Sequence, residues 1–341
     1  MEIQRLLQIQ KVLIPEGLES IVKRYHVLRA IMTAQPIGRR ALSSSMAISE
    51  RVLRGEIEKL REAGMIEVES AGMCLSVVGQ ELIKEVEWLV HRIKGLTELE
   101  EAIKQKLGIQ DICIVEGDYD LSETVKRDLG RKAADLILKN LTHGMSISVM
   151  GGTTLACVAN EMKNNKKFKN MMVVPGRGGL GERLEIQANS IAAKIAHKLG
   201  ANYKLLHVPD NIGCDVLESL KSNKQIKEVL DEIKRIDMII FSIGTAKEMA
   251  DRRGLSELRK DELRMKKAFA EALGYYFNQE GEPVMHTDSV GIVLQDLPKI
   301  KHAICAVAGK HKAAAIHAFS KYYTNYLLVT DEVTAKEILK L

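Results

Sequence analysis

Three glycine-rich segments carry residue types that suit the binding of a phosphate group. They are residues 151–154 (Gly-Gly-Thr-Thr), 176–182 (Gly-Arg-Gly-Gly-Leu-Gly-Glu) and 309–312 (Gly-Lys-His-Lys), and each comes directly after a short apolar run. Glycines let the backbone curl so that its N–H groups and nearby hydroxyls surround an anion at the start of a helix. Arg177 adds a guanidinium that can donate two parallel hydrogen bonds to a phosphate. Each segment alone is equally compatible with a tight turn, but the three together favour a ligand with more than one phosphate.

The same segments do not match the motifs of common nucleotide-binding or catalytic sites. Residues 151–154 lack the Gly-Lys-Ser/Thr of a Walker A loop and the Gly-x-Gly-x-x-Gly of a dinucleotide fingerprint. The sequence has no Gly-x-Ser-x-Gly elbow, and its histidines show neither metal-ligand spacing nor an evident nucleophile partner. We therefore expect a binding site without a catalytic residue, a metal or a cofactor.

The elements that must position these segments form a regular alternation from about residue 97 onwards. Short apolar runs rich in isoleucine and valine alternate with amphipathic helical segments, which is typical of βαβ units and predicts a doubly wound, mainly parallel α/β sheet. Ligands of such sheets bind at the carboxyl ends of the strands, where the three glycine-rich segments lie. The predicted strands are residues 112–115, 146–150, 171–174, 204–208, 238–243, 304–308 and 327–330.

Other polar residues of this region are weaker candidates for the same site. Arg252 and Arg253 follow an apolar run and either reach the ligand or cap a helix. Glu271 either accepts hydrogen bonds from sugar hydroxyls or lies on a helix surface. Asp331 and Glu332 end the last run and are interpreted as helix N-caps.

The first ninety residues show the pattern of a winged helix-turn-helix. An apolar stripe predicts a helix over residues 18–33, a short helix follows over residues 38–46, and Ser49 can cap a third helix that runs to about Glu62. Gly64 supplies a left-handed stop. Residues 65–75 then predict a hairpin, the wing, followed by a helix that Ser76 caps.

Basic side chains concentrate in this segment although the whole chain carries a net charge of only +5. From Ser20 to Arg61 there are nine Lys or Arg and three Glu. With the helix pattern and the wing, this charge indicates DNA binding; the alternative is a helical interaction domain with a solvated basic surface. Arg51 and Arg54 lie near the start of the third helix, where arginine can contact guanine bidentately. The DNA-binding candidates are Arg39, Arg40, Ser49, Arg51, Arg54 and Arg61, with Ser43, Ser44 and Ser45 as further phosphate contacts.

Length and composition predict a globular protein of two domains, residues 1–95 and 96–341. Hydrophobic residues make up 46% and charged residues 28% of the chain, which is enough for a core in each domain. No apolar stretch approaches about 18 residues and the first residues do not resemble a signal peptide, so we expect a cytoplasmic protein. Five cysteines without a Cys-x-x-Cys pair favour a reducing compartment: Cys74, Cys113, Cys157, Cys214 and Cys305.

Six longer stretches resemble the SorC family of sugar-responsive transcriptional regulators, and the similarity runs over nearly the full length. The resemblance implies a repressor of the operon for the triose-phosphate part of glycolysis, released by fructose 1,6-bisphosphate. It also implies an effector domain similar to sugar-phosphate isomerases of the glucosamine-6-phosphate deaminase type. Lys310 departs from the family pattern, in which a small residue is expected. The stretches are residues 36–40, 48–56, 151–154, 177–182, 274–278 and 328–332.

The resemblance also implies which side chains contact the effector: Thr153, Thr154, Arg177, Arg252, Glu271 and Lys312. With the neighbouring glycines Gly151, Gly152, Gly178 and Gly179, these residues make up the predicted effector site. We expect the protein to bind operator DNA as a homo-oligomer, either a dimer or a tetramer. Two alternatives stay open, namely a SorC-type regulator that senses a different phosphosugar and a sugar-phosphate isomerase or deaminase.

Overall fold

A computed structural model describes residues 2–179, 183–209, 223–287 and 289–341, and it divides at Glu98/Leu99 into two compact units. Cys214 and residues 180–182 of the second glycine-rich segment lie outside the described residues. In the part of the chain that is described, no helix is long and apolar enough to cross a membrane.

The first unit is a winged helix-turn-helix preceded by an additional helix. Its helices are α1 (Glu2–Leu13), α2 (Pro15–Ala34), α3 (Arg39–Met46), α4 (Glu50–Glu62) and α5 (Val77–Ile93). Strands β1 (Ile66–Glu69) and β2 (Gly72–Leu75) pair antiparallel to form the wing, and Ile37 adds a bridge to Met73. The predicted order of helices, turn and wing is confirmed.

The serine caps that the sequence predicts are present at the starts of α4 and α5. Ser49 accepts a hydrogen bond from the Val52 N–H at the start of α4, and Ser76 accepts one from the Gly79 N–H at the start of α5. Ala47 adopts a left-handed conformation with φ 52°, which makes the turn between α3 and α4 tight. The fully buried core side chains include Leu28, Ile31, Leu42 and Leu53.

The second unit begins within α6 (Leu96–Leu107) and is built on seven parallel strands. Their order across the sheet is β3, β13, β12, β7, β4, β5, β6. The strands are β3 (Asp111–Val115), β4 (Ser146–Val149), β5 (Met172–Pro175), β6 (Asn202–Tyr203), β7 (Met238–Phe241), β12 (His302–Ala306) and β13 (Leu327–Asp331). The helices of this sheet include α7 (Glu123–Lys139), α8 (Thr153–Glu161), α9 (Ala188–Leu199), α10 (Lys224–Ile233), α13 (Ala313–Tyr322) and α14 (Glu332–Lys340).

The chain order of these strands reverses between β4 and β7. From β4 the chain moves outward through β5 to β6, then returns to β7 beside β4 and proceeds through β12 to β13. Loops that leave neighbouring strands in opposite directions open a crevice at the carboxyl ends of the strands, where ligands of doubly wound sheets bind. The predicted doubly wound sheet is therefore confirmed, and its crevice lies beside the glycine-rich segments.

A second sheet, which the sequence did not predict, follows β7. It is antiparallel and consists of β8 (Gly244–Thr245), β9 (Ala268–Ala272), β10 (Tyr275–Asn278) and β11 (Pro283–His286). Helices α11 (Ala246–Arg252) and α12 (Glu257–Met265) connect β8 to β9. The interpretation of Glu271 as a helix-surface residue is wrong because it lies in β9, and the strand predicted over residues 204–208 is wrong because β6 ends at Tyr203.

A buried carboxylate on α4 joins this helix to α2. Glu56 on α4 accepts hydrogen bonds from Lys23 at 3.0 Å and Arg24 at 3.1 Å on α2, and its side chain is 10% exposed. Burial on its own raises the pKa of Glu56, but the hydrogen bonds from the two cations outweigh it, so the pKa lies below its ordinary value. The ionised carboxylate therefore stabilises the folded DNA-binding unit.

We predict that Glu56→Gln lowers the free energy of unfolding of this unit by about 1–3 kcal/mol, because it removes charge-assisted hydrogen bonds from a buried site. Since the pKa is depressed, the stabilisation is present above about pH 4.5 and is lost as the pH falls through the folded pKa. Urea unfolding followed by the fluorescence of Trp88, the one tryptophan of the chain, measures this at pH 7 and at pH 4.

The matched control is Glu58→Gln, which breaks an exposed pair with Arg54 at 3.0 Å. Its effect is expected to stay below about 0.5 kcal/mol because exposed pairs contribute little. Equal effects of the two substitutions would contradict the role given to Glu56.

Candidate functional site

The loops that follow β4, β5, β7 and β12 enclose one cavity at the carboxyl edge of the parallel sheet. All ten residues of the predicted effector site line this cavity. Its described lining also contains Arg253, which the sequence gave as a weaker candidate, and residues that the prediction left out, among them Gln187, Ser242 and Glu248. The structure thus brings together the three glycine-rich segments, which are spread over residues 151–312 of the chain.

The first segment forms the start of α8 and leaves its N-terminus open. Gly152 is the N-cap residue, with φ 128°, and has no side chain to cap the first-turn N–H groups. These N–H groups have no acceptor within the helix and carry the positive end of its dipole. Thr153 is exposed at this end, whereas Thr154 is buried. The N–H of Gly152 itself donates to the Ile186 carbonyl at 2.8 Å, so this glycine contributes shape and not a free donor.

Arg177 is buried in the floor of the cavity, and a glycine makes the room for it. Its Nη2 donates to the hydroxyl of Thr287 at 2.6 Å. Gly274 has φ 85°, and a Cβ at this position would lie 0.9 Å from the Nη1 atom of Arg177. The guanidinium therefore occupies the space of the side chain that position 274 lacks.

A buried ion pair stands next to Arg177. Arg253 Nη2 lies 2.9 Å from Glu271 Oε1, and the two side chains are 4% and 6% exposed. The same carboxylate oxygen accepts the Gly274 N–H at 2.6 Å, and Arg253 Nη1 donates to Thr287 at 3.4 Å. Arg177, Thr287, Arg253, Glu271 and Gly274 thus form one connected group.

The charge of the cavity suits an anionic ligand. Its described lining holds four cationic side chains, Arg177, Arg252, Arg253 and Lys312, and two carboxylates, Glu248 and Glu271. Burial lowers the pKa of Lys312, and the charges of Glu248 and Asp120 offset part of that effect. Since an anion beside the ammonium would favour its charged form, ligand binding and protonation of Lys312 are expected to support each other.

The loop that follows the edge strand β3 contacts the first glycine-rich segment. The Tyr119 hydroxyl lies 3.2 Å from the Thr154 Oγ1 atom, and burial raises the pKa of Tyr119, so this hydroxyl stays protonated. Asp331 accepts the Tyr119 N–H at 3.0 Å and Glu332 accepts the Gly117 N–H at 3.1 Å. Asp331 occupies the N-cap position of α14, but its side chain makes no capping hydrogen bond and holds the loop of Tyr119 instead.

The residues that the sequence missed here are long-range partners of residues that it found. Thr287 and Tyr119 lie 110 and 35 positions from their hydrogen-bond partners Arg177 and Thr154. Nothing in local periodicity signals such pairs. Lys310, the departure from the family pattern, does not line the cavity and lies 3.9 Å from Glu337.

The candidate DNA-contacting side chains of α3 and α4 share an exposed surface of the first unit. Arg39, Arg40, Arg51, Arg54 and Arg61 are all exposed. Arg54 Nε lies 3.0 Å from Glu58 on the same helix, and Arg40 lies 3.9 Å from Glu50. Exposed pairs of this kind are weak, so these arginines can be redirected to phosphates or bases.

Two of the three predicted serine contacts are used within the fold. Ser43 donates to the Ile48 carbonyl at 2.6 Å and is buried, and Ser45 donates to the Leu42 carbonyl at 2.9 Å. Both hydroxyls therefore stabilise α3 and the turn after it. Ser44 is exposed, and Ser49 serves as the N-cap of α4.

Comparison with known proteins matches both units. The family model of the CggR N-terminal DNA binding domain covers residues 21–90, and that of a sugar-binding domain covers residues 91–340. The central glycolytic genes regulator of Bacillus subtilis is 41% identical over 338 residues, which cover 98% of this chain and 99% of that protein.

Solved structures agree with these matches. The structure of a SorC family transcriptional regulator from Enterococcus faecalis superposes on this chain with a TM-score of 0.67 and 38% identity. The match covers 71% of this chain and 99% of the other chain. The full-length sorbitol operon regulator SorC from Klebsiella pneumoniae has a TM-score of 0.67 over 94% of this chain and 98% of that one. At 17% identity, the second likeness shows the fold alone.

The fold and the site define a transcriptional regulator that joins a DNA-binding domain to a sugar-binding domain. The chain belongs to the SorC family of transcriptional regulators. Because its close relatives are named as regulators, the prediction of a regulator and not an enzyme is confirmed.

We predict that Gly274→Ala displaces Arg177. The substitution should therefore destabilise the second unit more than replacement of another positive-φ glycine that has free space around it. The control is Gly254→Ala, since Gly254 also has a positive φ, 59°, but no atom lies within 4 Å of an added Cβ. Gly254→Ala is expected to cost about 1 kcal/mol of backbone strain, and Gly274→Ala at least about 2 kcal/mol more. Thermal unfolding of the two variants measures the difference, and equal midpoints would show that Arg177 does not depend on Gly274.

Proposed function

We propose that this protein represses the operon for the triose-phosphate part of glycolysis and leaves its operator when fructose 1,6-bisphosphate binds the second unit. The observation that carries the proposal is the convergence of four cationic side chains and an open helix N-terminus on one cavity. A single phosphate needs fewer donors than this, whereas a sugar bisphosphate uses both the α8 N-terminus and the arginines.

The buried network gives the site its preference for a sugar. Glu271 reaches the cavity with one oxygen engaged by Arg253 and the Gly274 N–H. A carboxylate has further lone pairs, and sugar hydroxyls are the natural donors to them. This arrangement supports Glu271 as a hydroxyl acceptor, with the phosphates bound by Arg177, Arg252, Lys312 and the threonines.

The glycolytic assignment rests on the relatives. Curated proteins at 41% and 39% identity, each aligned over almost its full length, are named central glycolytic genes regulators. A regulator of another sugar pathway would have the same local features, and other members of the wider family match at 24% identity over about 73% of the chain. The higher identity supports the glycolytic role over these.

The proposed regulation is a competition between two binding events in a cytoplasmic homo-oligomer. Paired winged domains hold two operator half-sites, with Arg51 and Arg54 directed at base edges and Arg39, Arg40 and Arg61 at phosphates. The effector favours an arrangement of the oligomer in which the paired domains no longer match the operator. Effector and operator then weaken each other by the same free energy.

We predict that fructose 1,6-bisphosphate raises the melting temperature of the protein in a concentration-dependent manner, because it binds the native state. At about 100 times Kd the stabilisation is about 2.7 kcal/mol. Fructose 6-phosphate and glucose 6-phosphate, with one phosphate each, are expected to shift the midpoint far less at the same concentration. Thermal unfolding with each sugar measures this.

Two variants give the test its controls. Arg177→Ala is expected to abolish the shift, whereas Lys310→Ala, which alters an exposed lysine outside the cavity, is expected to keep it. A full response of Arg177→Ala would contradict the site. No response to the bisphosphate together with a response to another phosphosugar would retain the regulator and reject the glycolytic effector.

A further inference from the structure

Nine basic side chains belong to segments that lead to the amino-terminal edge of the parallel sheet, the edge opposite the effector cavity. The three segments are residues 139–145, 162–171 and 194–201, which lead into β4, β5 and β6 and contain no Asp or Glu. We call this surface the basic edge. Its members are Lys139, His143, Lys163, Lys166, Lys167, Lys169, Lys194, His197 and Lys198.

Hydrogen bonds join the three segments into one surface. The Gly144 N–H donates to the Lys169 carbonyl at 2.9 Å, and the Lys169 N–H donates to His143 Nδ1 at 3.0 Å. The Asn165 N–H donates to the Lys198 carbonyl at 2.9 Å. The lysines are therefore held on a fixed backbone, with His143 and most of the lysine side chains exposed.

Ion pairs within the described residues do not compensate the lysine charges of residues 163–169. In the described ranges, no carboxylate lies within ion-pair distance of Lys163, Lys166, Lys167, Lys169 or Lys198. By contrast, Lys260, Lys301 and Lys336 on other elements each pair with a carboxylate at 3.3 Å or less.

The acidic residue at the end of α8 is already engaged by other cations. Glu161 lies 2.8 Å from Arg127 and 3.4 Å from Arg131, both on α7. Lys139 and Lys198 stand at the carboxyl ends of helices, where a cation stabilises the helix dipole. The four lysines of residues 163–169 lie in the loop between α8 and β5, and like charges this close in the sequence repel one another.

We propose that the basic edge binds the phosphate backbone of double-stranded DNA beyond the sequence contacted by the winged helix-turn-helix. Lysines on an open surface can bind the repeating phosphates of a nucleic-acid backbone, which need no fixed geometry. The effector cavity differs because it is enclosed and suits a small anion. Double-stranded DNA is favoured over an acidic protein because the DNA-binding unit of the same chain raises the effective concentration of DNA near this surface.

The test is the salt dependence of DNA binding by the full chain and by a variant with Lys163→Gln, Lys166→Gln, Lys167→Gln and Lys169→Gln. Binding is measured by fluorescence anisotropy on random-sequence duplexes of about 20 and about 60 base pairs, chosen as shorter and longer than two half-sites with their flanks. On the long duplex, the slope of log K against log salt is expected to fall in magnitude by about 2–4, near 0.9 for each lost phosphate contact. On the short duplex, the variant and the unmodified protein are expected to agree.

The control carries the same change of net charge at exposed lysines of four other elements: Lys224→Gln, Lys247→Gln, Lys299→Gln and Lys340→Gln. It is expected to keep the slope on both duplexes. A variant with arginine at the four loop positions is expected to keep it too, since the charge is retained. Should the fourfold glutamine variant melt at a lower temperature than the unmodified protein, Lys166→Gln with Lys167→Gln serves in its place, with a slope change of about 1–2.

A slope on the long duplex that is the same for the glutamine variant and for the control overturns the proposal, and it assigns the surface to an acidic protein partner or to none. Equal losses on both duplexes overturn it as well, because the lysines would then act on the winged domain's own binding. The outcome does not depend on the effector, since all measurements are made without sugar phosphate.

Discussion

The effector cavity depends on the burial of one carboxylate beside two guanidinium groups. Glu271 accepts hydrogen bonds from Arg253 and from the Gly274 N–H, and Thr287 lies within hydrogen-bond reach of both Arg253 and Arg177. Removing one partner of such a buried charged group is strongly destabilising because the other charge is left in a low-dielectric environment. This group therefore holds Arg177 and Arg253 in place before any ligand binds. The protein then loses little conformational entropy when a ligand does bind.

This constraint explains why the antiparallel sheet is attached to the parallel one. Strand β9 supplies Glu271, the turn between β9 and β10 supplies Gly274, and Thr287 directly follows β11. The residues that contact Arg177 and Arg253 therefore come from one small sheet. The parallel sheet supplies the glycine-rich loops at the β4/β7 reversal. Neither sheet forms the cavity alone, because these loops come from one sheet and the buried carboxylate comes from the other.

The parts of the fold with local signals were predictable from the sequence. The Ser49 and Ser76 caps, the alternation of the wing and the glycine-rich strand ends each act over a few residues, and each was found. The antiparallel sheet was missed because β9 reads Ala-Phe-Ala-Glu-Ala, whose alanines and glutamate favour helix and whose burial depends on tertiary contacts. Thr287 and Tyr119 were missed because a hydrogen bond between residues far apart in the chain leaves no periodic pattern in the sequence. Ser43 and Ser45 were assigned to phosphates although their hydroxyls can serve nearby backbone carbonyls, as they do here.

The most direct test of the proposed regulation is the thermodynamic coupling between the two ligands. It requires the Kd of the protein for a duplex from the region upstream of the glycolytic operon, with and without saturating fructose 1,6-bisphosphate. It also requires the Kd for the bisphosphate with and without saturating duplex. We expect both affinities to weaken by one and the same factor, in the range of about 5 to 150. Tight binding of the bisphosphate that leaves the affinity for the duplex unchanged would contradict the account.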